Sequence, residues 1–125
     1  MAISQLRSKL KISGGRYIDA RKKRLNDLGR EPTLAKVGEK RNRKIRIKGG
    51  KEKIVTLSDN IINVYDAKAK KYVKAKIKTI IENSANRHFV RRNIITKGAI
   101  LDTDLGKVRI TSRPGQENML NGVLV

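Results

Sequence analysis

The chain has no cysteine and a single histidine, His88. Without thiols it can have no disulfide, no thiol nucleophile and no thiolate-bound zinc, and one imidazole does not make a histidine metal cluster. We therefore expect neither a metal nor a cofactor. No apolar run approaches the roughly 20 residues that cross a bilayer, and the N-terminus lacks the apolar core of a secretory signal. These absences predict a soluble intracellular protein with no membrane partner.

Aromatic residues are also scarce. They make up 3% of the 125 residues, and there is no tryptophan. Because hydrophobic residues amount to 38% and are mostly aliphatic, the core is expected to be small and built from isoleucine, valine and leucine. A chain of this length forms one domain with a modest core, or a smaller domain with a tail.

Positive charge is what the sequence has in excess. Lys and Arg number 31 against 11 Asp and Glu, which gives a formal net charge of +20 and a pI near 10.8. Such a chain repels itself, and a polyanion would relieve that repulsion. The composition therefore predicts a nucleic-acid partner in preference to an anionic membrane surface.

Residues 1–43 differ from the rest, because their apolar residues are sparse and aperiodic while basic residues are frequent. Gly14 and Gly15 form a flexible break that lets the backbone approach a phosphate closely. Residues 19–28 are predicted to form one short helix, with Asp19 as its cap. Two interpretations of this extension stay open, a solvated disordered tail and an arm that becomes ordered on RNA.

From about residue 44 the hydrophobic pattern has a period of two, which indicates β-strands. Strands are predicted over residues 44–48, 51–57, 61–65, 72–82, 98–102, 106–111 and 120–125, with a two-residue hairpin at Gly49-Gly50 and a turn at 112–115. The chain is therefore predicted to be mainly β: a small closed or half-closed antiparallel β-barrel of six or seven short strands over residues 44–125, preceded by a basic, largely irregular extension.

The longest predicted strand, 72–82, has a clear alternation. Val73, Ala75 and Ile77 should face inward, while lysines alternate with them on the outer face. Ile80 and Ile81 interrupt the alternation, so this strand is expected to become buried on both faces, or to bulge, near its end.

No pattern predicts catalysis. Asp102 and Asp104 lie beside a hairpin turn, where acidic residues are common for conformational reasons. There is no phosphate-binding glycine loop of the P-loop type and no nucleophile at a useful spacing from a base. We therefore expect a binding protein rather than an enzyme.

The strongest candidate site is the segment 86–98. It concentrates cations around His88 and Phe89, and Ile94 and Ile95 should anchor it in the core. His88 either stacks on a base or is an exposed turn residue, and Phe89 either stacks or belongs to the core. The lysine-rich strand faces are either solvated surface or part of the same binding surface. The residues predicted to bind RNA are Gly14, Gly15, Arg16, Arg21, Lys22, Lys23, Arg24, Arg30, Arg41, Arg43, Lys44, Arg46, Lys48, Lys74, Lys76, Arg87, His88, Arg91, Arg92, Lys97 and Arg113.

Several of these motifs resemble those of one known family. The similar segments are Gly14-Gly15-Arg16, Arg21-Lys22-Lys23-Arg24, residues 28–32 and 44–50, the long run 82–100 (Glu-Asn-Ser-Ala-Asn-Arg-His-Phe-Val-Arg-Arg-Asn-Ile-Ile-Thr-Lys-Gly-Ala-Ile), and residues 105–108, 111–116 and 121–125. Together they resemble the S-eight-e family of small-subunit ribosomal proteins in its compact archaeal form. Residues 1–11 depart from the family pattern.

The resemblance implies a structural component of the small (30S) subunit that binds 16S-type ribosomal RNA, with a β-barrel core and a basic N-terminal extension. It implies neighbouring small-subunit proteins as partners, a cytoplasmic location on the ribosome, no homo-oligomer, no cofactor and no reaction. The alternative kept open is a ribosome assembly factor or RNA chaperone with the same barrel.

Overall fold

The structure is a computed structural model in which residues 7–125 are described. Residues 1–6, part of the segment that departs from the family pattern, lie outside the described residues. The chain divides into two compact units, Met1–Pro32 and Thr33–Val125. The sequence-based division lay later, between residues 43 and 44, because strand periodicity begins only there.

Residues 7–32 of the first unit are largely irregular. Leu10 and Arg16 form an isolated bridge that encloses a small turn. The Lys11 amide donates to the Gly15 carbonyl at 2.8 Å, and Gly14 sits in the left-handed region with φ of 84°. A glycine adopts that conformation without a steric penalty, so the predicted break is a tight turn.

The helix predicted over residues 19–28 is wrong. Only a single 3₁₀ turn forms there, at Leu25–Asp27. Four consecutive cationic side chains at 21–24 repel one another. Leu25 is 87% exposed, so packing of an apolar face does not offset the unfavourable free energy of helix nucleation. The Asp27 carboxylate instead accepts a hydrogen bond from the Arg24 amide at 3.2 Å, which stabilises the short turn.

The second unit contains eight strands. They are β1 (Lys36–Val37), β2 (Arg41–Arg46), β3 (Glu52–Asp59), β4 (Ile61–Asp66), β5 (Lys71–Glu82), β6 (Ile100–Thr103), β7 (Gly106–Ile110) and β8 (Asn121–Leu124). Strands β4 to β8 form a closed barrel in sequence order. The prediction of a mainly β chain with a small barrel is confirmed. Neighbouring strands are antiparallel except at the closure, where β4 pairs in parallel with β8.

Strands β1, β3 and β2 form a separate three-stranded sheet in that order. The prediction placed the β2–β3 hairpin in the barrel, and this is corrected, because β3 instead pairs in parallel with β1. The hairpin loop has three residues rather than two: the Ile47 amide donates to the Lys51 carbonyl at 2.7 Å, and Gly49 and Gly50 both have φ of 74°.

The segment between β7 and β8 forms hydrogen bonds with the small sheet. The Gln116 amide donates to the Arg113 carbonyl at 2.8 Å, so the turn spans residues 113–116, one residue later than the predicted 112–115, and Pro114 occupies its second position. The Pro114 carbonyl then accepts from the amide of Thr56 in β3 at 3.1 Å, and the Thr56 hydroxyl donates to the Glu117 carbonyl at 3.1 Å. These bonds fix the small sheet against the barrel.

The barrel core is aliphatic, as composition required. Its buried residues are Ile62, Val64, Ala75, Ile77, Ile80, Ile95, Ala99, Leu101, Val108, Ile110 and Leu120. On β5, Ala75 and Ile77 point inward as predicted, but Val73 is 45% exposed, because the long strand extends beyond the packed interior. The ladder between β5 and β6 shifts register after Ile77, which buries Ile80 and leaves Ile81 exposed, so the strand bulges rather than burying both faces.

Candidate nucleic-acid interface

The segment that connects β5 to β6 contains a single helical turn, α1 (His88–Arg91). The side chain of Asn86 begins it, since its Oδ1 accepts a hydrogen bond from the His88 amide at 2.9 Å. Asn93 ends it with φ of 52°, a left-handed conformation that asparagine tolerates better than most residues. The Ile94 amide then donates back to the Phe89 carbonyl at 3.0 Å. Local polar chemistry therefore sets the shape of this loop.

A buried amide holds the loop at its base. Asn83 is 5% exposed, and its Nδ2 donates to the Ile94 carbonyl at 3.1 Å. Its Oδ1 accepts from the Thr96 hydroxyl at 2.9 Å and from the Ala85 amide at 3.0 Å. One side chain thus joins both ends of the loop across a short span, and a buried amide with three bonds resists displacement.

The predicted apolar anchor is confirmed. Ile94 is fully buried and Ile95 nearly so. Ile94 forms a bridge with Lys36 of β1, and the Ile95 amide donates to the Ala35 carbonyl at 2.8 Å. The cationic loop is therefore attached to both the small sheet and the barrel core.

All the predicted RNA-binding side chains of this loop are exposed: Arg87, His88, Arg91, Arg92 and Lys97. The ion pairs found within residues 7–125 involve none of them. Phe89 is half-buried, beside Val90, which packs on the core. The loop therefore has a fixed base, and its cations form no ion pair with the described part of the chain.

The outer face of β5 extends this positive surface. Lys74 and Lys76 are exposed on it, opposite Asn63 and Ile61 of β4. Lys78 is different, because its Nζ lies 3.4 Å from the Asp104 carboxylate. Of the three lysines on this stripe, one is thus partly neutralised.

Strand β2 lies at the edge of the small sheet, and its basic residues are exposed. These residues are Arg41, Arg43, Lys44 and Arg46, and Lys48 follows in the hairpin loop. Lys44 Nζ lies 3.8 Å from the Glu52 carboxylate across the hairpin, an exposed pair that contributes little. Arg113 is exposed at the turn that joins the sheets.

In the first unit the predicted residues Gly14, Gly15, Arg16, Lys22, Lys23, Arg24 and Arg30 are exposed. Arg21 is also exposed, and its guanidinium makes a two-armed contact with the buried Asp27, at 3.2 and 3.4 Å. Lys22 and Lys23 line a hollow of about 300 Å³ together with Lys9, Asp19 and Arg21. The Lys9–Asp19 pair there is 2.8 Å long, and its hydrogen bond and charge hold the pKa of Asp19 below the ordinary 3.8.

Sequence reasoning missed an aromatic feature of each unit. The Tyr17 ring lies under the Arg7 guanidinium, 4.0 Å from Cζ to the ring centroid. On the barrel wall the rings of Tyr65 and Tyr72 lie 5.0 Å apart. The latter pair had a signal in the sequence, since the two tyrosines flank one hairpin turn symmetrically and so must share a face of the sheet.

The described residues contain no group of three or more His, Cys, Asp or Glu that could hold a metal ion. Within the same part of the chain, no helix is long and apolar enough to cross a membrane.

Comparison with known proteins gives a consistent result. The sequence model of a family described as "Ribosomal protein S8e" matches residues 4–125. The chain is similar to small ribosomal subunit protein eS8 of Nanoarchaeum equitans, with 54% identity over 114 residues that cover 91% of this chain and 90% of that protein. The proteins of the same name in Picrophilus torridus and Methanobrevibacter smithii are 47% and 48% identical over 125 residues, which cover all of both chains. Because the family model and these relatives span nearly the whole sequence, the chain belongs to the S8e family of ribosomal proteins.

Proposed function

We propose that this chain is a structural constituent of the small ribosomal subunit, which binds and stabilises 16S-type ribosomal RNA through a basic arm and a cationic barrel face. The observation that carries the proposal is the loop at 86–98, whose exposed cations lack intramolecular carboxylate partners among residues 7–125 and are fixed by Asn83 and two buried isoleucines. A polyanion supplies the counter-charges that the fold does not.

The charge distribution supports a phosphate backbone as the ligand. Exposed cations lie on the loop, on the outer face of β5 and along the edge strand β2. Arginine suits this task because its planar fork makes two hydrogen bonds to one phosphate. Each phosphate neutralised adds about 0.7 to 0.9 to the salt dependence of binding, so affinity should fall steeply as salt rises.

The chain binds RNA through two contacts of different character. The loop at 86–98 is preformed. The second contact is the extension 1–43, whose described residues 7–32 contain a single 3₁₀ turn and belong to an arm that becomes ordered on RNA, whereas its last residues already belong to the small sheet. The chain acts as a monomer on the cytoplasmic ribosome, beside other small-subunit proteins, and carries out no reaction.

Cosedimentation tests this function against that of an assembly factor. Tagged full-length chain should remain with mature small subunits through a high-salt wash, because a structural constituent is enclosed by folded RNA. An assembly factor would instead accumulate on immature particles and be absent from washed mature subunits, and that result would contradict the proposal.

A further inference from the structure

The outer wall of the barrel carries a depression of about 420 Å³, lined by Asn63, Tyr65, Tyr72, Thr111, Asn121 and Val123. It lies on the four consecutive strands β5, β4, β8 and β7 or at their ends. None of its lining residues belongs to the loop at 86–98. The depression is therefore a separate feature of the barrel surface.

Two tyrosines form one side of this depression. Tyr65 and Tyr72 are opposed in the β4–β5 ladder, with ring centroids 5.0 Å apart and ring planes tilted by 45°. Tyr72 is 76% exposed, so the core does not use its ring. A chain with only three tyrosines and no tryptophan thus places two aromatic rings together on its surface. Exposed aromatic faces of this kind are platforms on which unpaired bases stack.

A pair of amides forms the floor beside the rings. Asn63 Nδ2 donates to Asn121 Oδ1 at 3.1 Å, across the parallel ladder that closes the barrel. This bond uses one donor of the first amide and the acceptor of the second. The side-chain Oδ1 of Asn63 and the Nδ2 of Asn121 therefore remain as an acceptor and a donor of the same amide pair. Such a pair matches the hydrogen-bonding edge of a nucleobase.

Two cations flank the depression on opposite sides. Lys74 of β5 is opposite Asn63, and Arg109 of β7 is opposite Val123. Both side chains are exposed, and neither belongs to an ion pair within residues 7–125. Because the barrel is closed, β5 and β7 lie on different sides of its wall, and the two side chains therefore leave the surface on either side of the depression. A ligand that fits the rings and the two cations has a flat unsaturated ring and a negative charge on each side of it. A nucleotide within an RNA strand has such a ring, its base, and a phosphate on each side.

We propose that the depression binds an unpaired base of ribosomal RNA. The base stacks on Tyr72, its edge contacts the Asn63–Asn121 amide pair, and the neighbouring phosphates contact Lys74 and Arg109. This inference rests on the proposed function and adds to it a base-stacking site distinct from the phosphate-binding loop. It commits to RNA, and a protein segment in the same depression is the competing occupant.

Tyr72→Ala in the full-length chain tests the site, with 16S-type ribosomal RNA transcript as the probe. Because Tyr72 is exposed, thermal unfolding should not change, while RNA affinity should fall about 5-fold to 150-fold, the range for loss of one stacked base. The salt dependence should stay at the wild-type value, since no cation is removed. Tyr72→Phe keeps the ring and should bind like the wild type. Met119→Ala, which truncates an exposed apolar residue outside the depression, is the matched control.

Ultraviolet crosslinking followed by mass spectrometry supplies the second measurement, and Tyr65 or Tyr72 should carry a crosslinked nucleotide. If the wild type binds the transcript but Tyr72→Ala binds equally well and neither tyrosine crosslinks, the base-stacking site is refuted and the proposed function stands. If Tyr72→Ala binds RNA normally but is lost from subunits reconstituted with the other small-subunit proteins, the occupant is a protein and the inference is overturned. If the wild type itself does not bind the transcript, both the inference and the proposed function fail.

Discussion

Removing the guanidinium groups of Arg91 and Arg92 should weaken RNA binding and make it less dependent on salt. Arg91 ends α1 and Arg92 follows it, so their side chains leave the backbone roughly 100° apart and both are exposed. If each neutralises one phosphate, the slope of log K against log salt should fall in magnitude by about 1.4 to 1.8 in the double alanine variant. If only one contacts RNA, the decrease should be about 0.7 to 0.9.

The same slope gives the change in affinity. Between 50 and 200 mM salt, a slope difference of that size makes the wild-type advantage over the double variant shrink by about tenfold. Filter binding to the 16S-type transcript at four or five salt concentrations measures both quantities. The free energy of unfolding of the double variant should stay within about 0.5 kcal/mol of the wild-type value, because neither side chain packs in the core.

A matched control separates specific contacts from net charge. Lys51→Ala with Lys68→Ala also removes two exposed cations, and neither belongs to the predicted site. This control should lower the slope by less than the arginine pair. Equal salt slopes for the wild type and the arginine variant would refute the loop as an RNA contact. An equal decrease of the slope in the arginine and lysine variants would show that the loop contributes only through the net charge of the protein.

Three further predictions concern the fold and the first unit. Gly122→Ala should cost about 1 to 3 kcal/mol of unfolding free energy, because its Cβ would lie 2.5 Å from a buried valine methyl, whereas Gly38→Ala, whose nearest atom is 3.9 Å away, should be almost neutral. Asn83→Ala should cost about 1 to 3 kcal/mol by leaving a buried carbonyl without its donor, and it should weaken RNA binding by loosening the loop. Lys9→Ala should raise the pKa of Asp19 toward 3.8, as measured by NMR titration, because the hydrogen bond and charge that lower it are removed.

The contribution of the Lys9–Asp19 pair to stability depends on pH. A carboxyl whose pKa is lowered in the folded state contributes stability above pH 3.8 and loses that contribution as the pH falls through the lowered value. An Asp19 titration identical in the wild type and the lysine variant would show that the ion pair does not form in solution. Equal unfolding temperatures for the Gly122 and Gly38 variants would contradict the close packing at the barrel closure, and an Asn83 variant as stable as the wild type would contradict the anchor.

The period-two pattern predicted the barrel well because each strand has one buried and one solvated face. The lysines of β5 alternate with Ala75 and Ile77, and this alternation fixed both the strand and the side of it that faces the core. The prediction that Val73 is buried was wrong, because periodicity indicates which face of the strand a residue occupies but not where along the strand the packed interior ends. The pairing of β3 with β1 was missed, since two residues of strand carry no periodic signal and parallel pairing is non-local.

The candidate site was predictable to a similar extent. The cations of residues 86–98 and their isoleucine anchor follow from composition and order, but Asn83 was missed, because the demand for a buried donor exists only once the loop has folded back. The helix at 19–28 failed because local propensity was not supported by packing: a helix that short needs an apolar partner surface, and Leu25 has none. The Arg21–Asp27 contact was missed as well, because it depends on the 3₁₀ turn that forms in place of the helix.

The parallel closure of the barrel also sets the order in which the chain can fold. The contacts between β4 and β8 join residues 58 positions apart, as in the Asn63–Asn121 bond, whereas β4–β5 and β6–β7 are local hairpins. Loop-closure entropy therefore makes the last strand the slowest to join, and ribosomal synthesis delivers it after the other four. Until it arrives, the edges of β4 and β7 are unpaired, and the tyrosine-lined depression, which needs Asn121, does not exist. A nascent chain therefore has the arginines of the loop at 86–98 before the proposed stacking site can form.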